Sequence, residues 1–373
     1  MRLLDRYLLR ELLVPFGYCL SGFIIFWISF DLFSEMGDFQ KQNLGAWDVV
    51  EFYLVRTPEW LVFPLVPIAL LLALLYALTN HARHNELTAM RSAGISLGRL
   101  SLPYFSVGLI LSLILFALNE LWVPYGAEAA EKIRIRRLPG QSDAASGQWE
   151  RRFGFYNSRD HRNWFFVAYH PATHEMIEPH VEWALPDGKR REIKAERGAH
   201  RDGVWIFTNV QELVYPPGRG SLPATYETNF MVMAEFSETP HEIKTEIKVS
   251  KISGFKQIKK AQLSIREILD YQRLHPDDPG KSALLATKLH GRLAAPWTCL
   301  VVVLIAVPFG AGTGRRNVFV GVASSIFICF TYFVFQQLGL ALGTGGFLWP
   351  WLSAWGPNLL FATAGIVLTY RVR

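Results

Sequence analysis

The sequence predicts a polytopic α-helical membrane protein with six transmembrane helices, plus an all-β, jelly-roll-like domain inserted between helices 3 and 4. Three observations carry this. Six stretches are long and apolar enough to cross a bilayer, three on each side of a long polar middle. The lysines and arginines beside those stretches fall almost entirely on one side. The polar middle reads as short strands separated by turn signals. The composition agrees: only 19% of residues are charged, against about 25% in a soluble domain.

The amino terminus, "MRLLDRYLLRELLVPF", scatters Arg6, Arg10 and Glu11 among leucines and runs into a full-length apolar stretch. No small-residue cleavage site follows a short apolar core, so the expectation is an interfacial amphipathic helix leading into the first span rather than a cleaved signal. The spans are expected at 15–34, 61–80, 100–123, 293–312, 318–339 and 350–370. Asp31 interrupts the first and Pro357-Asn358 the last. One side would hold Arg2, Arg6, Arg10, Arg83, Arg91, Arg99, Arg315, Arg316, Arg371 and Arg373, the other only Lys41 and Arg56. That asymmetry places both termini in the cytoplasm and residues 124–290 outside. Between spans two and three lies "RHNELTAMRSAGISLGR", a cytoplasmic turn in which Leu87, Met90, Gly94 and Leu97 recur at helical spacing.

In the middle, strands are expected at 163–169, 180–186, 189–196, 203–215 and 225–236, with Pro186-Asp187-Gly188 and Pro216-Pro217-Gly218 as turns. Short strands at that spacing suggest a sandwich or jelly roll. A helix is expected at 264–274, with Ser264 as its cap and Glu267 three residues on. The three cysteines, Cys19, Cys299 and Cys329, all sit in apolar runs, so the polar middle carries no disulfide framework.

Several stretches imitate reaction centres. "PGKS" at 279–282 resembles the end of a phosphate-binding loop, but His275 stands where the first glycine belongs, and an amphipathic helix precedes it instead of a strand. "HPATHEMIEPH" (170–180) clusters His170, His174, Glu175, Glu178 and His180, but Pro171 and Pro179 oppose a helix, and a polar hairpin turn fits better than a metal site. "GAGTGRRN" (310–317) follows a span and reads as a tight turn. No catalytic set, metal site or cofactor is expected. A basic pI of about 9.2 signals nucleic acid only with a basic face, and here the arginines flank apolar runs instead. Asp31 lies 16 residues past Pro15, about 24 Å along a helix, near the outer edge of the hydrocarbon. Glu120 lies at matching depth on the third span, with Lys132, Arg134, Arg136 and Arg137 just beyond. Each acid could snorkel, or together they could rim a cavity for a lipid with a charged head. Gln336 and Gln337 could line it or bond between helices.

Eight stretches resemble the LptF/LptG-type permeases of the lipopolysaccharide-export ABC transporter: "LLDRYLLREL", "RTPEWLVFPLVPIALLLALLYAL", "HNELTAMRSAGISLGRL", "NELWVPYGAEAAEKIR", "LSIREILDYQRL", "KLHGRLAAPW", "VPFGAG" and "GPNLLFATAGI". They stand in family order, and E-L-x-x-M-R-x-x-G is the most specific. The β domain matches only by position and strand character. The "LLDRYL" opening and "ISGF" at 252–255 lean towards the LptG side. The resemblance implies an inner-membrane subunit without catalysis of its own. It would pair with a paralogous permease, be driven by a cytoplasmic LptB-like ATPase dimer, and pass lipopolysaccharide to periplasmic LptC/LptA-like bridge proteins. It also places a coupling helix on 84–97, with Glu86 as acidic contact, Leu87 and Met90 as apolar knobs and Arg91 beside them. Substrate contact falls on Asp31 and Arg134, and Glu120 joins them by its depth. The domains expected are 1–123, with the first three spans and the coupling helix; 124–262, the β domain; 263–292, a helix and linker; and 293–373, the last three spans. On residues alone a membrane-anchored sensor or scaffold, a mechanotransmission-type ABC subunit and an intramembrane enzyme stay open. The short "YRVR" tail speaks against the sensor, the absent reaction centre against the enzyme.

Overall fold

The computed structural model describes residues 3–137, 149–217, 222–251, 262–276, 279–310 and 318–371. The chain divides into two compact units, residues 1–131 with 283–373, and residues 132–282.

The first unit is helical, and its described residues include six helices long and apolar enough to cross a membrane. Helix α1 (Leu3–Lys41) is one helix of 39 residues running through Pro15. The expected interfacial segment and first span are therefore continuous. A proline deletes one backbone donor and crowds the preceding turn, but the turns before it, rich in leucine, arginine and glutamate, are strong helix formers, and the helix runs on through Pro15. The second span is built from α2 (Ala46–Trp60) and α3 (Val66–Arg83), joined by a widened turn at Leu61–Leu65 in which Phe63 is extended. A short helix α4 (Glu86–Ser92) precedes α5 (Leu97–Leu121), whose first turn is capped by the Ser96 hydroxyl. Helix α6 (Val123–Ile135) leads into the second unit. The return is made by α9 (Pro279–Ala294), α10 (Thr298–Gly310), α11 (Val318–Thr344) and α12 (Pro350–Arg371), numbered to leave α7 and α8 for the second unit.

Helix α10 is apolar on every side, the mark of a central helix. Val301, Val302, Val303, Ile305, Ala306 and Val307 are all buried, and α10 packs on α3, α5, α11 and α12. Close approach to α12 needs Gly365: a Cβ there would stand 2.6 Å from the Leu304 carbonyl oxygen. Thr298, Tyr332 and Asn358 form a buried hydrogen-bonded chain joining α10, α11 and α12, and Asn358 closes it on the Ala294 carbonyl at 2.9 Å. Helix α1 is the opposite case: Tyr18, Ile25, Phe26, Phe30 and Phe33 all stand exposed.

The second unit contains the inserted β domain. Strands β1 (Glu150–Asn157), β2 (Arg162–His170), β3 (Glu175–Ile177), β4 (His180–Ala184), β5 (Arg190–Arg201), β6 (Val204–Tyr215) and β7 (Ala224–Met233) form one antiparallel sheet. β3 and β4 lie end to end between β2 and β5, each pairing with both, and β1 and β7 are the edges. One face is closed by helix α7 (Pro240–Lys251), whose Ile243 and Ile247 meet Trp164, Trp205, Phe207, Val181 and Phe236 in a single cluster. Helix α8 (Ile265–Leu274) carries the expected reciprocal cap: Glu267 N–H donates to the Ser264 hydroxyl at 3.1 Å, and Ser264 N–H to the Glu267 carboxylate at 2.7 Å. It packs on α7, where Lys248 meets Glu267 at 2.8 Å and His241 meets Asp270 at 2.7 Å. β1, β3 and α7 were not expected. β1 carries two arginines and a glycine, and β3 is three residues long. For α7 a signal existed: Thr239 and Glu242 cap each other in the T-x-x-E pattern ahead of Ile243 and Ile247.

Candidate functional site

The arginine-bearing end of the first unit is tied together around α4. Helix α4 has only seven residues, too few to be stable alone. It starts from Asn85 in the left-handed region, at φ 56°, and ends before Gly94 at φ 83°. Leu87 is buried in the helical core, and Met90 packs half-buried against it. Glu86 Oε2 accepts hydrogen bonds from the Tyr7 hydroxyl at 2.9 Å and from His81 Nδ1 at 2.7 Å. The bond from His81 is the main cause that holds the Glu86 carboxyl below the usual glutamate range, with Tyr7 adding to it against the opposing effect of burial. The face turned to solvent is Thr88, Ala89 and Ser92, while Arg91 is half-buried in the last turn. Nearby, Arg99 at the start of α5 pairs with Asp5 of α1 at 2.9 Å. The same ends of the first three spans and α4 are thus joined by three polar contacts.

At the opposite ends of the spans, each acid has its own partner. Asp31 accepts from the Tyr53 hydroxyl of α2 at 3.1 Å. Glu120 stands 3.5 Å from Arg292 of α9. Arg292 also donates to the Asn119 carbonyl, and Asn119 returns a bond to the Arg292 carbonyl at 3.2 Å. No hydrogen bond or ion pair among the described residues joins Asp31 to Glu120. Arg134 belongs to the second unit, half-buried near the end of α6. Gln336 is buried in α11, and Gln337 faces outward. Tyr7, His81 and Arg292 escaped the sequence reading. A basic residue immediately before the fourth expected span was the available signal for Arg292; nothing local marks the other two.

The imitations of reaction centres resolve as follows. Gly280, Lys281 and Ser282 lie in the first turn of α9, and a helix, α8, precedes them where a nucleotide loop needs a strand. Residues 311–317 and 252–255 lie outside the described residues. The "HPATHEMIEPH" run forms the turn between β2 and β3 and then enters β4, with no helix to align its histidines. Pairing of β4 with β5 does bring His180, Glu182 and Glu192 together, their donor atoms within 4.8 Å of one another. Both Glu192 oxygens are already engaged: the Lys194 ammonium lies 2.8 Å from Oε1, His180 Nε2 lies 2.9 Å from the same oxygen, and the Tyr215 hydroxyl donates to Oε2 at 3.1 Å. Burial pushes the Glu192 carboxyl up, but Lys194 and Tyr215 outweigh it and hold it below its ordinary range. In the segment between β7 and α7, Glu238 is wholly buried. Its Oε1 accepts from Arg162 Nε at 2.8 Å, Asn157 Nδ2 at 2.7 Å and Trp164 Nε1 at 3.1 Å.

No curated protein matches the chain. One family model does, that of the lipopolysaccharide export system permease LptF/LptG, over residues 6–371. The match takes in all six apolar helices and the inserted β domain, which makes this a multi-pass inner-membrane protein. The chain therefore belongs to the LptF/LptG family of lipopolysaccharide-export permeases.

Proposed function

We propose that this permease takes lipopolysaccharide from the outer leaflet of the inner membrane and passes it to a periplasmic bridge, driven by a separate cytoplasmic ATPase dimer that pushes on α4. The arginine-bearing ends then face the cytoplasm and the β domain the periplasm, as the distribution of lysine and arginine requires. The observation that carries the reading is the attachment of α4: Leu87 in the helical core and Glu86 bonded to residues of α1 and α3. A push on a helix held in this way reaches the first two spans instead of dissipating in a loose loop. Glu86 uses only Oε2 internally, which leaves its other oxygen for a cation of the ATPase. Thr88, Ala89 and Ser92 form the face that the ATPase meets, Arg91 flanks it, and Leu87 and Met90 carry the load inward. The exposed aromatic side of α1 suits pairing with a paralogous permease, the lipid chains lying between. Asp31 and Glu120 meet the lipid head at the outer ends of the first and third spans. Arg134 is a further headgroup contact.

The test is lipid release in proteoliposomes containing the ATPase and bridge proteins. Ala89→Arg places a bulky charge on the exposed face of α4, and Glu86→Ala removes the acid. Both proteins are expected to insert and to release far less lipid per ATP hydrolysed. Normal release by both would sink the coupling role. Charge reversal, Arg134→Glu, is expected to weaken photocrosslinking to lipopolysaccharide, and unchanged crosslinking removes Arg134 from the site. Copurification of an ATPase after mild detergent extraction separates this reading from a sensor or scaffold.

A further inference from the structure

We propose that Tyr7 and His81 are positioning residues: they clamp the Glu86 carboxylate so that α4 moves as one body with the first and second spans. The consequence for transport rests on the coupling reading above, while the clamp itself is a matter of geometry. Two donors from different spans converge on one oxygen. The Tyr7 hydroxyl lies 79 residues from Glu86 in sequence and comes from α1; His81 comes from α3. Hydrogen bonds to an ionised carboxylate are about twice as strong as neutral ones. No part of the His81 side chain is exposed. Its Nδ1 faces Glu86, so the ring proton sits there, and Nε2 has no hydrogen-bond partner among the described residues. The imidazole thus makes one hydrogen bond, aimed at a single target. The Tyr7 ring lies against it, centroids 5.6 Å apart, so each donor also holds the other in place.

The other charged and titratable groups nearby do not compete for Oε2. His84 turns its Nδ1 to the Asn80 carbonyl at 2.9 Å, and Arg83 is exposed. The Asn85 cap of α4 makes no side-chain bond. Leu87 and Met90 hold one side of the helix on the core, but apolar contacts are non-directional. The bonds to Glu86, next to Leu87 and coming from two spans, add directional restraint.

The test uses the full chain in nanodiscs, without ATPase or nucleotide, in a Cys19→Ser background; the other two cysteines are buried. A spin label is placed on Ser92→Cys, at an exposed position of α4. Tyr7→Phe removes one hydroxyl and keeps the ring, so the fold is preserved. His81→Phe keeps bulk without a donor. In His81→Asn the side-chain amide sits close to where Nδ1 was and restores the donor. The mobile fraction of the label is expected to rise on the order of tenfold in the two Phe variants, as losing one bond to a charged group implies, and to stay near wild type in His81→Asn. Unchanged mobility in both Phe variants overturns the clamp. Equal mobility in His81→Asn and His81→Phe overturns it too, because ring packing and not the bond would then hold the helix. This signal requires no partner, so it decides the clamp alone, whereas lipid release by the Ala89→Arg protein decides the coupling reading.

Discussion

Replacing Glu238 by alanine is expected to destabilise the β domain by about 4 kcal/mol. The magnitude follows from what each neighbour loses. Breaking a buried ion pair costs about 3–5 kcal/mol when the partner is stranded. Arg162 is not wholly stranded: Asp160 Oδ2 lies 2.6 Å from its guanidinium, and it donates to the Glu235 carbonyl at 3.1 Å. Its share therefore falls at the low end, about 3 kcal/mol. Asn157 keeps Asp160 at 3.2 Å, whereas Trp164 Nε1 is left in the core without an acceptor, adding about 1 kcal/mol or more. Trp205 is unaffected, because it donates to the Glu238 backbone carbonyl. Glu238→Gln keeps an oxygen for all three donors but puts an N–H where Oε2 has no partner, so its cost is about 1–2 kcal/mol. Hydrogen–deuterium exchange of β2 and β6 amides in the detergent-solubilised full chain reads these losses as faster local opening. The expected acceleration is on the order of a thousandfold for alanine and tenfold for glutamine, at 1.4 kcal/mol per factor of ten. Acceleration of less than about fivefold in the alanine protein, or a glutamine effect larger than that of alanine, would refute the pair as an organising element.

Three further outcomes are expected. Gly365→Ala gains about 1 kcal/mol of helix propensity, yet its Cβ would stand 2.6 Å from the Leu304 carbonyl oxygen, and overpacking of that kind costs about 1–3 kcal/mol. The thermal midpoint in detergent therefore falls, and a rise would show that α10 and α12 separate freely. Acid acts on the β domain in two steps. Burial and the neighbouring His174 depress the His200 pKa, so stability declines as pH falls through the ordinary histidine range, and His200→Gln removes that step. Burial alone would raise the Asp160 pKa, but hydrogen bonds from Ser237 and Arg159 and the charge of Arg162 hold it low. Its contribution is present above about pH 4 and is lost as pH falls through the depressed value; fluorescence-monitored unfolding from pH 7 to 3 shows whether both steps exist. Finally, Arg292→Leu leaves Glu120 without its ion pair, and the double variant with Glu120→Gln is expected to recover much of the lost stability. Additive losses in the double variant would mean that the two side chains act separately.

The sequence by itself determined the features whose physics is local. Transfer of a helix into hydrocarbon is a sum over consecutive residues, so the apolar stretches marked six spans before any contact was known. Strand-like runs bounded by turn residues marked five strands of the β domain, and the reciprocal bonding of Ser264 and Glu267 needs only four residues of chain. The same local logic located α4, because helical spacing of Leu87 and Met90 is a property of the segment. Only the tertiary structure decided which way that segment faces and what holds it. Glu86 reads as an exposed acid until Tyr7, 79 residues away, is brought beside it. Arg292 and Asn119, which tie α9 to α5, stand 173 residues apart. The edge strand β1 forms because β2 offers it a partner, and α7 folds on the sheet because Trp164, Trp205 and Phe207 lack cover on that face. Hydrogen bonds and packing depend on distance in space, and distance along the chain carries no record of it.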